Sequence, residues 1–367
     1  MIESQKPFVS IIIAVRNEEL TIKECIEAVL NQDYPHESYE ILVIDGMSED
    51  KTREIIDDIV KSNPNRIKLF DNPYKIASCG RNKGIKKAKG EFVGILHGRG
   101  IINKCWISEL VRILVEKGEK VGCAGCIALT ANKTLVSEAE EYALNSIFGG
   151  FRTATSKILS KEKKTEIFKA ESIGVALYRK SVFTEVGLYD ENLFSGEDFE
   201  LNYRIRKHNY EILGSTNAYI NYYRRKTLKS IFSRLFNFGQ GRALIIKKHR
   251  DSFKFFYLIP LLFAIFTIFF GLFNLITFSI NVIFNVYLFG FIRLFNLALD
   301  TLFQLFYLSI ISIYFIIVIL FSIMSYKKFT NKSASLVLFA IFPIMHIGYG
   351  LGFLRGLFPY RKTKITR

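Results

Sequence analysis

Between Phe255 and Tyr326 the chain carries only two charged side chains, Arg293 and Asp300, and a second apolar run covers Ala334 to Leu354. Runs of about 20 apolar residues match the hydrocarbon thickness of a bilayer. A soluble core helix would need a partner shell that the rest of the sequence hardly supplies. These stretches are therefore read as membrane spans. Phe255–Phe273, Ile276–Leu297, Leu302–Met324 and Ser335–Leu354 make four helices, and three is the alternative. Four keep both ends on the cytosolic side but leave the Lys327-Lys328 turn on the far side, whereas three put the basic C-terminus there. The bias of Lys and Arg toward cytoplasmic loops favours four.

The net charge of +16 follows from the same partition. Many basic residues flank the apolar runs: Arg242, Lys247, Lys248 and Arg250 before them, Lys327, Lys328 and Lys332 between them, and Arg361, Lys362, Lys364 and Arg367 after them. Such flanks face the cytoplasm and attract anionic lipid, so membrane lipids account for the charge and no nucleic-acid partner is implied. Met1 to Lys6 is polar and Phe8 to Ala14 is too short for the apolar core of a signal peptide. The first 250 residues are expected in the cytosol and the chain in the cell membrane, multi-pass. Five cysteines fit a reducing compartment. The Cys123-Ala-Gly-Cys126 spacing has no second pair and is read as structural.

Strands and helices alternate through the first hundred residues. Phe8 to Val15 is a continuous β-branched run, as in a strand covered on both faces, and Glu40–Ile44, Ile67–Phe70 and Glu91–Leu96 follow as strands. Helices are expected over Glu18–Leu30, after a Ser48 cap, and over Ser78–Lys89. Beyond Trp106 a helix to Lys117 is expected, with strands near Val121–Leu129 and Ile173–Tyr178, a loop over Gly149–Thr165, and a basic interfacial helix over Arg224–Arg250. The implied fold is α/β: a doubly wound, mostly parallel, Rossmann-like sheet with its ligand loops at the strand carboxyl ends, followed by a transmembrane helical region. The expected divisions are 1–225, a linker 226–254, spans within 255–357 and a basic tail 358–367.

Six pieces in order carry a resemblance: VRNEE after the first strand, DGMSED after the second, GRNKGIKKAKGE before the fourth, then GEDFELNYRIRK, FNFGQGR and HIGYGLGFLRG. The chain resembles membrane-bound family 2 glycosyltransferases with a GT-A fold, and among them the enzymes that extend lipid-linked saccharides in exopolysaccharide synthesis such as succinoglycan. The resemblance implies an inverting transferase that moves a hexose from a nucleotide sugar, a UDP-sugar foremost, to a lipid-linked or nascent glycan acceptor.

The residues agree with that implication. A uracil ring and ribose offer donors, so carboxylates at strand ends, here Glu18 and Asp45, can select them; capping of helix N-termini is the alternative for both. Asp50 reads as a first-turn cap. Arg81 and Asn82, at a helix start, are expected to face the diphosphate. Glu197 and Asp198 match the family's Glu-Asp pair, whose aspartate takes the proton of the acceptor hydroxyl; Glu197 would orient the acceptor, and Glu200 is expected on the outer helix face. Arg242 stands where related polymer synthases carry a Gln-x-x-Arg-Trp element, absent here in full form, so single-sugar addition is favoured; it would bind either diphosphate or lipid headgroups. His346, Arg355 and the glycines from Gly348 to Gly356 are read as close helix packing, with a lipid-phosphate contact as the alternative for His346.

One departure stands out. After the fourth strand the family usually has an Asp-x-Asp pair that holds a divalent cation, and this chain reads His97-Gly98-Arg99. His97 can ligate transition metals, but hard Mg²⁺ prefers oxygen and Arg99 cannot ligate a metal at all. Three readings stay open: Arg99 as a fixed cation for the leaving diphosphate, Mg²⁺ or Mn²⁺ held through other ligands, or a non-catalytic sugar-nucleotide binder. Transfer to polyprenyl phosphate itself is a further alternative to a lipid-linked sugar acceptor.

Overall fold

The computed structural model describes residues 6–131, 133–149, 166–224, 227–284 and 290–358, with the backbone alone for 278–284 and 290–300. All but the first residue of the expected Gly149–Thr165 loop, the Arg293 and Asp300 side chains, and the tail from 359 onward lie outside that set. The described residues fall into two compact units, 6–131 with 166–224, and 133–149 with 227–358. The short segment 133–149 thus groups with the apolar C-terminal unit, on the far side of the expected division at 225.

In the first unit, β1 (Val9–Val15), β2 (Tyr39–Asp45), β3 (Ile67–Asp71) and β4 (Phe92–His97) pair in parallel in the order β3-β2-β1-β4. β1 and β2 are buried on both faces almost throughout, which is why they read as unbroken apolar runs. The helices α1 (Ile22–Leu30), α2 (Thr52–Ser62) and α3 (Ala77–Lys87) alternate with these strands. Register puts Val15 opposite Asp45 and Ala14 opposite His97, so three strands end at one edge and release their loops there.

From β4 onward the sheet becomes mixed. It continues through β5 (Gly100–Ile102), β6 (Val121–Thr130), β7 (Ile167–Lys169), β8 (Ala176–Arg179) and the long β9 (Glu211–Tyr222). β8 runs antiparallel to β4 and β6, while β9 pairs parallel with β6 and antiparallel with β5 and β7. The parallel expectation therefore holds for the first four strands, and the α/β sheet is mixed as a whole. The expected strand Ile173–Tyr178 begins only at Ala176, which leaves Ile173–Val175 as a loop. The helices here are α4 (Trp106–Lys117), α6 (Lys180–Val186) and α7 (Glu197–Lys207); α4 lays the fully buried Trp106 and Leu110 on the sheet.

The second unit comprises α5 (Leu135–Asn145), α8 (Leu228–Lys248), α9 (Ile259–Phe284), α10 (Gly290–Tyr326) and α11 (Ala334–Leu357). Thr227 caps α8, its hydroxyl accepting from the Ser230 N–H at 3.2 Å. Among the described residues, three stretches are long and apolar enough to cross a membrane: Phe255–Thr277, Thr301–Tyr326 and Ala334–Leu357. The remaining expected span, Ile276–Leu297, falls mostly on residues outside the fully described set. α8 and α11 touch backbone to backbone: a Cβ at Gly239 would fall 2.0 Å from the Tyr349 carbonyl oxygen, and one at Gly352 1.9 Å from that of Phe236. His346 is buried between Tyr314, whose hydroxyl donates to Nδ1 at 2.9 Å, and the Phe148 carbonyl, which accepts from Nε2 at 2.8 Å. Both ring nitrogens are thereby satisfied within the protein, which favours the packing role over a lipid-phosphate contact.

Candidate active site

The site assembles where β1, β2 and β4 end. The loops after β1 and β2 are laced together: the Asn17 N–H donates to the Ser48 hydroxyl at 3.0 Å, the Glu49 N–H to the Asn17 side-chain oxygen at 2.9 Å, and the Lys51 N–H to Glu19 at 3.1 Å. Asn17 and Met47 take positive φ values of 53° and 57° in these two turns, a conformation that non-glycine residues keep only when their surroundings over-determine it. Ser48 does not cap α2. Its N–H and hydroxyl instead donate to the fully buried Asp45 carboxylate, the hydroxyl at 2.5 Å, and Arg53 adds an ion pair at 3.4 Å. Asp50 does act at the start of α2, accepting from the Thr52 N–H at 3.0 Å.

The third loop carries His97-Gly98-Arg99. Gly98 has to be small, since a Cβ there would lie 2.8 Å from Val15 Cγ2. The Thr21 hydroxyl donates to the Gly98 carbonyl at 2.9 Å, tying the turn to α1. Arg99 Nε donates to Glu18 Oε1 at 2.6 Å, with Nη2 at 2.5 Å from the same oxygen. Glu18 is thus an ion-pair partner of Arg99.

Arg81 is the hub. It sits in the second turn of α3, only 2% exposed. Nη1 donates to Glu197 at 2.7 Å and to Asp198 at 3.0 Å, and Nη2 lies 3.2 Å from His97 Nδ1. The guanidinium also stacks 5.1 Å from the Tyr189 ring centre. Burial alone would depress its pKa, but the Asp198 and Glu197 charges outweigh burial and hold the group cationic. Arg81 is a guanidinium and can only donate, so His97 Nδ1 accepts and the proton of the neutral ring resides on Nε2. Desolvation, compounded by the Arg81 and Arg99 charges, pushes the titration of His97 down to about 3. His97 is a neutral donor at physiological pH.

Glu197 and Asp198 open α7. Gly196 before them adopts a left-handed φ of 79°, which turns the chain into the helix. Burial, with the Glu197 charge added, lifts Asp198 from the ordinary carboxylate range to about 7, against the lowering effect of Arg81. Asp198 keeps a solvent path, with 21% of its side chain exposed. Glu200 is not on an outer face: it is fully buried and takes a forked pair from Arg204, Nε at 3.0 Å and Nη2 at 2.9 Å.

The structure therefore brings Arg81, His97, Glu197 and Asp198 into one hydrogen-bonded cluster, with Arg99 on the His97 loop paired to Glu18 on the loop after β1, and Asp45 at the neighbouring end of β2. Asn82 is engaged elsewhere: its amide donates to the Tyr189 carbonyl at 2.9 Å and to Glu191 at 3.0 Å, and accepts from the Tyr189 N–H at 3.0 Å. Arg242 belongs to the second unit, stacked 4.5 Å from the Tyr257 ring centre. Three residues at the site escaped sequence reasoning. Tyr189 stacks on Arg81, Tyr222 sets its ring edge-on to His97 at 6.3 Å, and Gly174 leaves open the space by the acid, where a Cβ would sit 3.3 Å from Asp198 Oδ2 and 3.9 Å from His97 Nε2. Only the glycine carried a signal, as a small residue at the head of an apolar run.

Residues 10–187 match the family model described as Glycosyl transferase family 2. The chain carries a family 2 glycosyltransferase domain. A Methanococcus voltae dolichyl N-acetyl-alpha-D-glucosaminyl phosphate 3-beta-D-2,3-diacetamido-2,3-dideoxy-beta-D-glucuronosyltransferase is 29% identical over 247 residues, 66% of this chain and 74% of that protein. The succinoglycan biosynthesis protein ExoA of Rhizobium meliloti is 29% identical over 244 residues, 65% of this chain and 70% of its own length. Among solved structures, GalNAc-T7 with UDP, GalNAc and Mn²⁺ matches with a TM-score of 0.53 at 18% identity, covering 70% of this chain and 51% of that one. The mannosyltransferase PcManGT of Pyrobaculum calidifontis, with GDP-Man and Mn²⁺, matches with a TM-score of 0.50 at 18% identity, over 68% and 66%. At that identity the two structures establish the GT-A fold of this glycosyltransferase and nothing finer.

Proposed function

We propose that this protein is an inverting glycosyltransferase that moves a hexose from a nucleotide sugar, a UDP-sugar foremost, to a lipid-linked or nascent glycan acceptor at the cytosolic face of the membrane. One observation carries the reading: a partly exposed carboxylate, Asp198, poised near neutrality by burial and braced by Arg81. A general base works best with its pKa near the working pH. Asp198 takes the proton of the acceptor hydroxyl as that oxygen attacks the anomeric carbon. The bond from that carbon to the diphosphate breaks, the nucleoside diphosphate leaves, and a single displacement inverts the configuration.

Asp45 and Glu18 face the nucleoside in this reading, and Glu197 orients the acceptor. Arg81 and Asn82 act as positioning residues, since their polar atoms are engaged by the acidic pair and by the Tyr189–Glu191 loop. Arg242, stacked on Tyr257 in the apolar unit, contacts lipid headgroups in this reading, with the diphosphate as its alternative. The Methanococcus relative, named for a dolichyl-linked sugar phosphate, supports a lipid-linked sugar as acceptor over a bare polyprenyl phosphate. Three apolar helices and the basic flanks support a multi-pass membrane protein with this domain in the cytosol.

The test is transfer from radiolabelled nucleotide sugars to a membrane lipid extract. Wild type is expected to yield labelled glycolipid with a newly inverted linkage, and Asp198→Asn to yield none while still binding nucleotide. Undiminished turnover by Asp198→Asn would remove the base assignment. The replaced Asp-x-Asp motivates a second reading, a sugar-nucleotide binder without transfer, and binding by wild type with no product from any extract would establish it.

A further inference from the structure

The residues at the site do not fit a hard divalent cation. Such an ion needs carboxylate oxygens with lone pairs to give. Here Glu18 is held by Arg99, Asp45 by Ser48 and Arg53, and both Glu197 and Asp198 by Arg81. His97 fares no better as a ligand. To bind a metal through Nε2 its proton would have to move to Nδ1, which faces the Arg81 guanidinium at 3.2 Å, and two donors would then confront each other. Among the described residues no group of three or more His, Cys, Asp or Glu side chains is gathered as a metal site.

Charge points the same way. Two carboxylates holding a divalent cation carry no net charge, whereas neutral His97 with Arg99 carries one positive charge. The pair at 97 and 99 thus supplies positive potential where a loaded Asp-x-Asp would supply none beyond neutrality. Arg99 is preorganised: Glu18 holds two of its three nitrogens, yet the side chain stays 31% exposed. A fixed, already oriented cation stabilises developing negative charge without reorganisation.

We infer that this enzyme transfers its sugar without a divalent cation, with Arg99 neutralising the departing nucleoside diphosphate and the His97 Nε2–H donating beside it. The inference rests on the nucleotide-sugar reading above. The anomeric carbon–oxygen bond breaks toward the diphosphate, whose terminal oxygen keeps the electron pair and meets the guanidinium, while the acceptor proton goes to Asp198.

The experiment uses the full-length protein in lipid nanodiscs, with UDP and GDP as calorimetric probes and transfer measured in parallel, first after exhaustive EDTA treatment and then with Mn²⁺ or Mg²⁺ restored. Binding and transfer are expected to agree within about threefold between the two conditions. Arg99→Ala should weaken nucleotide binding in EDTA about ten- to a hundredfold, the loss of a charge-assisted contact. His97→Asp with Arg99→Asp should gain a Mn²⁺ requirement that wild type lacks. Wild-type binding or turnover that disappears in EDTA and returns with Mn²⁺ overturns the inference and leaves the transferase reading standing. Failure of every nucleotide to bind in either buffer overturns both. Should Arg99→Ala not fold, the EDTA comparison on wild type decides alone.

Discussion

Replacing Arg81 with Met removes a cation that touches the acidic pair and His97 together. The guanidinium is 2% exposed, with acceptors at 2.7 and 3.0 Å on Nη1 and a ring nitrogen at 3.2 Å from Nη2. Truncating one partner of a buried ion pair costs about 3–5 kcal/mol, because the other charges stay buried without compensation. At roughly 2–4 °C per kcal/mol for a domain of this size, the melting temperature should fall on the order of 10 °C.

The same change moves the chemistry. Arg81 lowers the pKa of Asp198 against burial and Glu197, so its removal sends that value upward from about 7. Two unit charges 4 Å apart interact with about 4 kcal/mol at an effective dielectric near 20, and one pH unit corresponds to roughly 1.4 kcal/mol. Solvent reaching Asp198 trims the effect, so the acid limb of kcat/KM against pH should move up by at least about one unit. Arg81→Lys, which keeps the charge but not the fork, should move it less. An acid limb that stays near 7 in Arg81→Met would show that the guanidinium does not set the base, whatever its effect on stability.

Further outcomes follow from four other perturbations. Asp198→Asn should lower kcat by about a hundred- to ten-thousandfold with nucleotide affinity unchanged. Because the folded-state pKa of Asp198 is raised, ionising it disfavours the native state, so the variant should melt above wild type at pH 8 and the gap should close as pH falls toward 4. Arg204→Met strands the fully buried Glu200 and should cost about 3–5 kcal/mol in denaturant unfolding at neutral pH. Burial pushes the thiols of Cys25 and Cys126 up to about 12, Cys79 to about 11 and Cys123 further still, so a thiolate-selective reagent should modify Cys105 alone among the five in native protein, and all five after denaturation. His346→Leu leaves the Tyr314 hydroxyl and Phe148 carbonyl without their partner and should lower stability by about 1–3 kcal/mol while UDP affinity, measured by calorimetry, stays put.

The parts legible in the sequence are those fixed by local chemistry. β1, β2 and β4 are unbroken β-branched or apolar runs because neighbours cover both faces, and the acidic opening of α7 is written contiguously as Gly196-Glu197-Asp198. What the sequence hid depends on partners far along the chain. Arg81, at the start of a helix whose lysines read as a solvated basic face, reads as a diphosphate contact, yet its acidic partners come 116 and 117 residues later. Glu200 reads as an outward acid, yet Arg204 one turn on folds back over it and also donates to the Gly187 and Leu188 carbonyls, which buries the pair. β9 escaped because Ser215, Thr216 and Asn217 interrupt its alternation where the pairing with β6 slips between Cys126 and Ile127.

Arg81 also decides when the site can exist at all during folding. It is carried by α3, which lies over the parallel half of the sheet, where a Cβ at Gly80 would come 3.4 Å from Ala14 and 3.5 Å from Ile44. Glu197 and Asp198 are carried by α7, which packs on the other half through the buried Leu201 and Ile205. Until the two halves join, Asp198 is an ordinary solvated acid whose proton leaves far below neutral pH, and it is a poor base. Joining them buries the acidic pair, and that burial is tolerable only because α3 brings the guanidinium with it. Stability and catalytic poise are therefore inseparable at residue 81, since one set of contacts supplies both. At residue 99 they come apart, because Arg99 pairs with Glu18 at the rim and its loss should weaken nucleotide binding with little change in melting temperature.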